Sequence, residues 1–194
     1  MTMREKQIII AARVMSMVLT PFYLPLVGLG ALFIFSYMSL APWQYKLTVL
    51  LMVYIFAILL PTLLIHAYRN YQGWTRMQLS TKERRLVPYV ITIISYFGCY
   101  YLMVFRHIPQ FMANILMAAL VIQIICAVIN VWWKVSTHTA AIGGFAFNPM
   151  WWFCVILIIA GMVGTSRMLL RQHSLSQVVV GFLIGMVAGF WAII

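Results

Sequence analysis

Long apolar runs separated by short polar breaks dominate the chain. Uncharged runs occupy Met17–Met38, Leu47–Ile65, Leu86–Phe105, Pro109–Trp133 and Ser174–Ile194. A helix needs ~20 mostly apolar residues to cross a ~30 Å hydrocarbon core, and these runs are of that length. A sixth stretch, Thr139–Thr165, is interrupted by Gly143, Gly144, Asn148 and Pro149. Pro21, Pro25 and Pro61 fall within or near runs, where neighbouring helices can satisfy the carbonyls a proline frees. Trp43, Trp74, Trp132, Trp133, Trp151 and Trp152 lie near run ends, as interfacial anchors should. The pattern predicts an all-α fold, a polytopic transmembrane helical bundle of about five to seven spans, built as one membrane domain over 1–194.

Composition agrees. The 194 residues are 65% hydrophobic and 8% charged, with mean hydropathy +1.01, against about 25% charged in an average soluble domain. The charge is one-sided: thirteen Lys and Arg face Glu5 and Glu83, and there is no Asp. Such a balance suits anionic headgroups or phosphates. Nucleic acid fits poorly, because the cations are spread between apolar spans and no binding motif occurs. Cys99, Cys126 and Cys154 stand singly in apolar runs and read as small buried hydrophobes, neither disulfide nor zinc framework. Arg4 and Lys6 precede an apolar run that Arg13 interrupts, which reads as a retained first span and not a cleaved leader.

Counting spans gathers the cations. The loop His66–Arg85, with Arg69, Arg76, Lys82, Arg84 and Arg85, falls on one face with the N-terminus and Lys134; with Arg167 and Arg171 that face holds eleven of the thirteen. Lys46 and Arg106 mark the other. The positive-inside rule makes the basic face cytoplasmic.

Three polar clusters sit at that face: Lys82-Glu83-Arg84-Arg85-Leu86-Val87-Pro88, Lys134-Val135-Ser136-Thr137-His138, and Ser166-Arg167 followed by His173 and Gln177. His173 and Gln177 are four apart and share a face if helical. Singly, a basic loop at a span end is a topology signal, and a His there, as at His66 and His107, is an interfacial side chain. Two His converging with several cations is a functional signature.

In order and spacing the clusters resemble the type 2 phosphatidic acid phosphatase superfamily of membrane lipid phosphatases, in a divergent bacterial branch. The family motifs are K-x6-R-P, P-S-G-H and S-R-x5-H-x3-D. Ser166-Arg167, His173 and Gln177 match the third, with Gln177 in place of Asp. Ser136 and His138 match the second, where Val135 replaces Pro and Thr137 replaces Gly. Lys82 and Pro88 match the first, Val87 taking the Arg position, with Arg84 or Arg85 as substitutes. The resemblance covers about 82–194. It implies a hydrolase of lipid metabolism in the bacterial inner membrane, with its site facing away from the cytoplasm, against the charge count. The substrate would be an anionic lipid phosphomonoester or diphosphate. The implied roles are phosphate binding by Lys82, Arg84, Arg85, Ser136, Thr137 and Arg167, nucleophilic attack by His173, acid–base work by His138, and orientation of His173 by Gln177. No metal or other cofactor is expected, since no carboxylate cluster is present to hold one. The alternative is a membrane protein that binds or moves anionic lipid phosphates without hydrolysing them.

Parity constrains this reading. The motifs must share one face, so an even number of crossings must separate His138 from Ser166. Only 27 residues, 139–165, are available, whereas two spans need ~40. A re-entrant hairpin near Asn148–Pro149, a helix that returns without crossing, or absent sequence between Gly144 and Asn148 would each restore it. The last is the preferred expectation. Gly181, Gly185 and Gly189 recur every four residues in the last run, a spacing for close helix packing.

Overall fold

The computed structural model describes residues 3–73, 86–144 and 150–193. Among these all regular structure is helical: α1 (Met3–Val18), α2 (Leu24–Phe35), a 3-10 turn (Tyr37–Leu40), α3 (Trp43–Tyr71), α4 (Leu86–Phe105), α5 (Gln110–Trp132), α6 (Thr137–Gly143), α7 (Met150–Leu169) and α8 (Leu175–Ile193). Among the described residues three helices, α3, α4 and α5, are long and apolar enough to cross a membrane.

The first predicted run is not one helix. Met17–Met38 breaks over Leu19–Tyr23, because Pro21 ends α1 and Pro25 fits only the first turn of α2. The remaining 12 residues of α2 extend ~18 Å, less than a hydrocarbon core. The second run is longer than its apolar part suggests, 29 residues over Trp43–Tyr71. It stays continuous through Pro61 by widening into a π turn at Tyr54–Leu59, where the Leu60 N–H reaches back five residues to the Ile55 carbonyl. Trp43, Trp132 and Trp133 are exposed at helix ends, the position expected of interfacial anchors.

Helices α2 to α5 share one core, in which Leu29, Val53, Tyr96, Met103 and Leu116 are buried. A second cluster, Ile122, Cys126, Val135, Ala140 and Ala188, joins α5 to α6 and α8. A third, Leu24, Ile142, Ala160 and Val163, joins the start of α2 to α6 and α7.

The described parts of 139–165, α6 and α7, form an antiparallel helical pair. A β-carbon on Gly164 of α7 would sit 3.9 Å from the Thr139 methyl of α6, and further along Ile142 packs with Ala160 and Val163. Ser136 and His138 therefore lie at the same end as Ser166 and Arg167. The seven-residue arm α6 rises only ~10 Å, too little to cross a bilayer. Shared ends for α6 and α7 place the second and third motifs on one side of the bundle, as parity requires. The preferred expectation of absent sequence fell on 145–149, which lie outside the described residues.

The glycine stripe explains how α6 is held. Ser136, Ala140 and Gly144 advance by four residues along α6, and so do Gly181, Gly185 and Gly189 along α8. A β-carbon on Gly181 would lie 2.5 Å from the Ser136 carbonyl oxygen. One on Gly185 would overlap the Ala140 carbonyl, and one on Gly189 the Gly144 carbonyl. Only glycine lets the two backbones approach this closely, with the helices parallel and in step.

Candidate functional site

The second and third motifs meet at the α6–α8 end of the bundle. After α5 the chain turns through Trp133–Ser136, and Asn130 shapes that turn. Its Oδ1 accepts from the Val135 N–H at 3.2 Å, while its Nδ2 donates to the Cys126 carbonyl at 2.7 Å and to the Tyr89 hydroxyl of α4 at 3.0 Å. The turn is pinned to the last helix by the Ser136 N–H donating to the Gln177 carbonyl at 3.2 Å. Lys134 Nζ also donates to the Gln172 carbonyl.

The third motif arrives by a tight helix end. Arg171 adopts a left-handed φ of 52°; its N–H donates to the Met168 carbonyl, and the Gln172 N–H reaches the Arg167 carbonyl at 3.0 Å. This is a Schellman closure, with arginine where glycine is usual. It delivers His173 just outside α8, with Gln177 in the first turn. His173 Nδ1 lies 3.1 Å from Gln177 Oε1. The same oxygen accepts from the Ser174 N–H at 3.2 Å, as the glutamine of an S-x-x-Q helix start does. Gln177 therefore both orients His173 and caps α8.

Arg167 and His138 are neighbours in this cluster, and His173 is within electrostatic reach of His138. Arg167 Nη1 donates to Ser16 Oγ at 2.8 Å, joining the end of α1 to the end of α7. Tyr89 lies close to Arg167. His138 lies outside the three helices long and apolar enough to span a membrane. Burial, then the adjacent Arg167 cation, then His173, push its imidazole down from the ordinary histidine range to about 3, against a hydrogen bond to the Ser16 main-chain carbonyl. It is neutral at pH 7 in this state.

Three buried polar atoms here have no hydrogen-bond partner: Ser136 Oγ, His138 Nδ1 and Arg167 Nε. Among the described residues only one other side-chain atom, Tyr96 Oη in α4, shares that condition. Buried donors and acceptors are rarely left unmet, because each costs about 1–3 kcal/mol. Three in one cluster mark a place suited to a ligand with several oxygens.

Sequence reasoning brought Ser136, Thr137, His138, Arg167, His173 and Gln177 to one place, and the structure puts them there. Thr137 opens α6 beside Ser136. Lys82, Arg84 and Arg85 lie outside the described residues. Ser16, Tyr89 and Asn130 were not anticipated. Asn130 is the one polar side chain besides Gln123 in the second half of α5, a legible signal, whereas nothing local distinguishes Ser16. An apolar groove of about 410 Å³ between α2 and α3, lined by Leu26, Gly30, Leu50 and Tyr54 among others, is remote from this cluster and offers no chemistry. Among the described residues no group of three or more His, Cys, Asp or Glu is placed to hold a metal ion. No family model, curated protein or solved structure matches this chain.

Proposed function

We propose that the protein is a multi-pass integral membrane hydrolase that removes phosphate from a lipid phosphomonoester or diphosphate, with a type 2 phosphatidic acid phosphatase-like core. The observation that carries this reading is the set of three unpartnered buried atoms, Ser136 Oγ, His138 Nδ1 and Arg167 Nε, beside the paired His173 and Gln177. A phosphate dianion supplies oxygens to meet the hydroxyl and the guanidinium, and its negative charge favours proton uptake by His138, which burial first and Arg167 second otherwise hold neutral. Entry of the headgroup requires the mouth of the cluster to open, as gated sites do.

In the reaction, the unprotonated nitrogen of His173 attacks phosphorus. The P–O bond to the lipid breaks, its electrons leaving with the alkoxide, which takes the proton that His138 acquires from solvent when the dianion binds. Water then attacks the phosphohistidine and gives its proton to His138, and inorganic phosphate leaves with His173 restored. Arg167 stabilises the equatorial oxygens, joined by Lys82 and Arg84 or Arg85. Gln177 fixes the His173 tautomer but brings no negative charge for the developing imidazolium. By comparison with a neutralised triad aspartate, that loss amounts to as much as ~10⁴-fold in rate.

Phosphate release by the full chain in detergent, across a panel of lipid phosphates, tests the proposal. His173→Ala should abolish release and Gln177→Asp should increase it. Release that persists in His173→Ala would falsify the mechanism. Phosphate bound in an Arg167-dependent way, with no release from any lipid, would instead favour a lipid-phosphate binder or carrier.

A further inference from the structure

Ser16 belongs to α1, 151 residues before Arg167, in a segment that none of the three motifs includes. Its hydroxyl receives one Nη1 hydrogen of the Arg167 guanidinium at 2.8 Å, and its main-chain carbonyl receives a hydrogen bond from the His138 imidazole. One residue thus touches both side chains that the phosphatase reading assigns to the phosphate and its proton.

What remains unengaged on those side chains is informative. Arg167 keeps Nε, and His138 keeps Nδ1, both buried and unpartnered. A guanidinium binds two oxygens of one phosphate most favourably through a pair of parallel N–H groups. Engagement of Nη1 by Ser16 leaves the edge formed by Nε and Nη2 for such a pair. Arginine carries five donors on a long flexible stem, and a partner behind it restricts which edge faces forward.

From this geometry we infer that Ser16 is a positioning residue for the phosphate site, its hydroxyl aligning the Arg167 guanidinium from behind. The inference rests on the lipid-phosphate reading. It makes α1 a functional part of the site, and it requires the Ser16 oxygen to remain on Arg167 when phosphate is bound. A competing geometry, in which Ser16 occupies the phosphate position and must be displaced, has the opposite sign in experiment.

Calorimetric titration of the purified full chain in detergent with inorganic phosphate distinguishes them, using wild type, Ser16→Ala and Ser16→Thr, with melting temperatures recorded in parallel. Ser16→Ala should bind phosphate roughly tenfold more weakly, the scale of one hydrogen bond to a charged group. Its melting temperature should be close to wild type, and Ser16→Thr, which keeps the hydroxyl, should recover most of the affinity. In turnover of a lipid phosphate the defect should fall on KM as well as kcat. Equal or tighter phosphate binding by Ser16→Ala overturns the positioning role and leaves the phosphatase reading intact. So does weaker binding that the threonine hydroxyl does not recover in a stably folded variant. Failure of the wild type itself to bind phosphate defeats both.

Discussion

His138 is the residue whose environment speaks most directly in measurable terms. Its imidazole is held near 3 by burial, Arg167 and His173, far below its range in an unfolded chain, about 6.5. Between those values the unfolded chain binds a proton that the folded chain refuses, so stability rises with pH across the window. Acidification from pH 6.5 toward 3 should therefore lower the melting temperature, and His138→Gln should flatten that dependence. A wild-type profile as flat as the variant's would contradict the buried, neutral histidine. The pairing of His173 with Gln177 was legible in the sequence, because a spacing of four near a helix start brings side chains together. The dual duty of the Gln177 oxygen was not, since it depends on α8 beginning at Leu175 and on Ser174 needing a cap. Nor was Ser16, whose importance arises only from contacts far along the chain.

Apolar run length correctly marked α3, α4 and α5, where uninterrupted hydrophobicity leaves a helix as the one backbone solution in lipid. It failed at Met17–Met38 because hydropathy averages over Pro21 and Pro25, whereas backbone hydrogen bonding does not. It left Thr139–Thr165 open between three alternatives. There the deciding fact is a packing surface: the glycine edge of α8 accepts a short partner helix along its backbone. This element-level fit makes Gly185 the most demanding position, since any β-carbon there meets the Ala140 carbonyl. Gly185→Leu should destabilise the fold by ~3 kcal/mol or more, the upper range for overpacking, and should disturb His138 although it lies elsewhere on the helix pair. Gly161, whose β-carbon would meet nothing within 4 Å, is the control: Gly161→Ala should be neutral or slightly stabilising. Equal behaviour of the two variants would show that the stripe does not bear on the packing.

For the whole molecule, the arrangement has two distinct ends. The turn at Arg106–Pro109 and the segment Ser39–Lys46 lie at one, with Phe33 and Met112 buried nearby. Lys134 and Gln172 lie at the other, joined by their hydrogen bond. In a cysteine-free background, single cysteines at Ser39 and Arg106 should label with a membrane-impermeant thiol reagent from one side, and cysteines at Lys134 and Gln172 from the opposite side. Labelling of all four from the same side would sink the multi-pass proposal. Which side carries the cluster is decided by the same experiment, where the charge count and the family resemblance give opposite answers.

The contact between Ser16 and Arg167 also sets an order in time. At ~5–20 residues per second, the separation of 151 residues takes roughly eight to thirty seconds to synthesise. For most of that interval the first helix waits without its permanent neighbour, since α7 begins only at Met150. Nascent chains from which Arg167 has not yet emerged should therefore expose α1 to protease or to bilayer-embedded chaperones, and protection should begin when the arginine emerges. The earliest segment made is among the last to find its place.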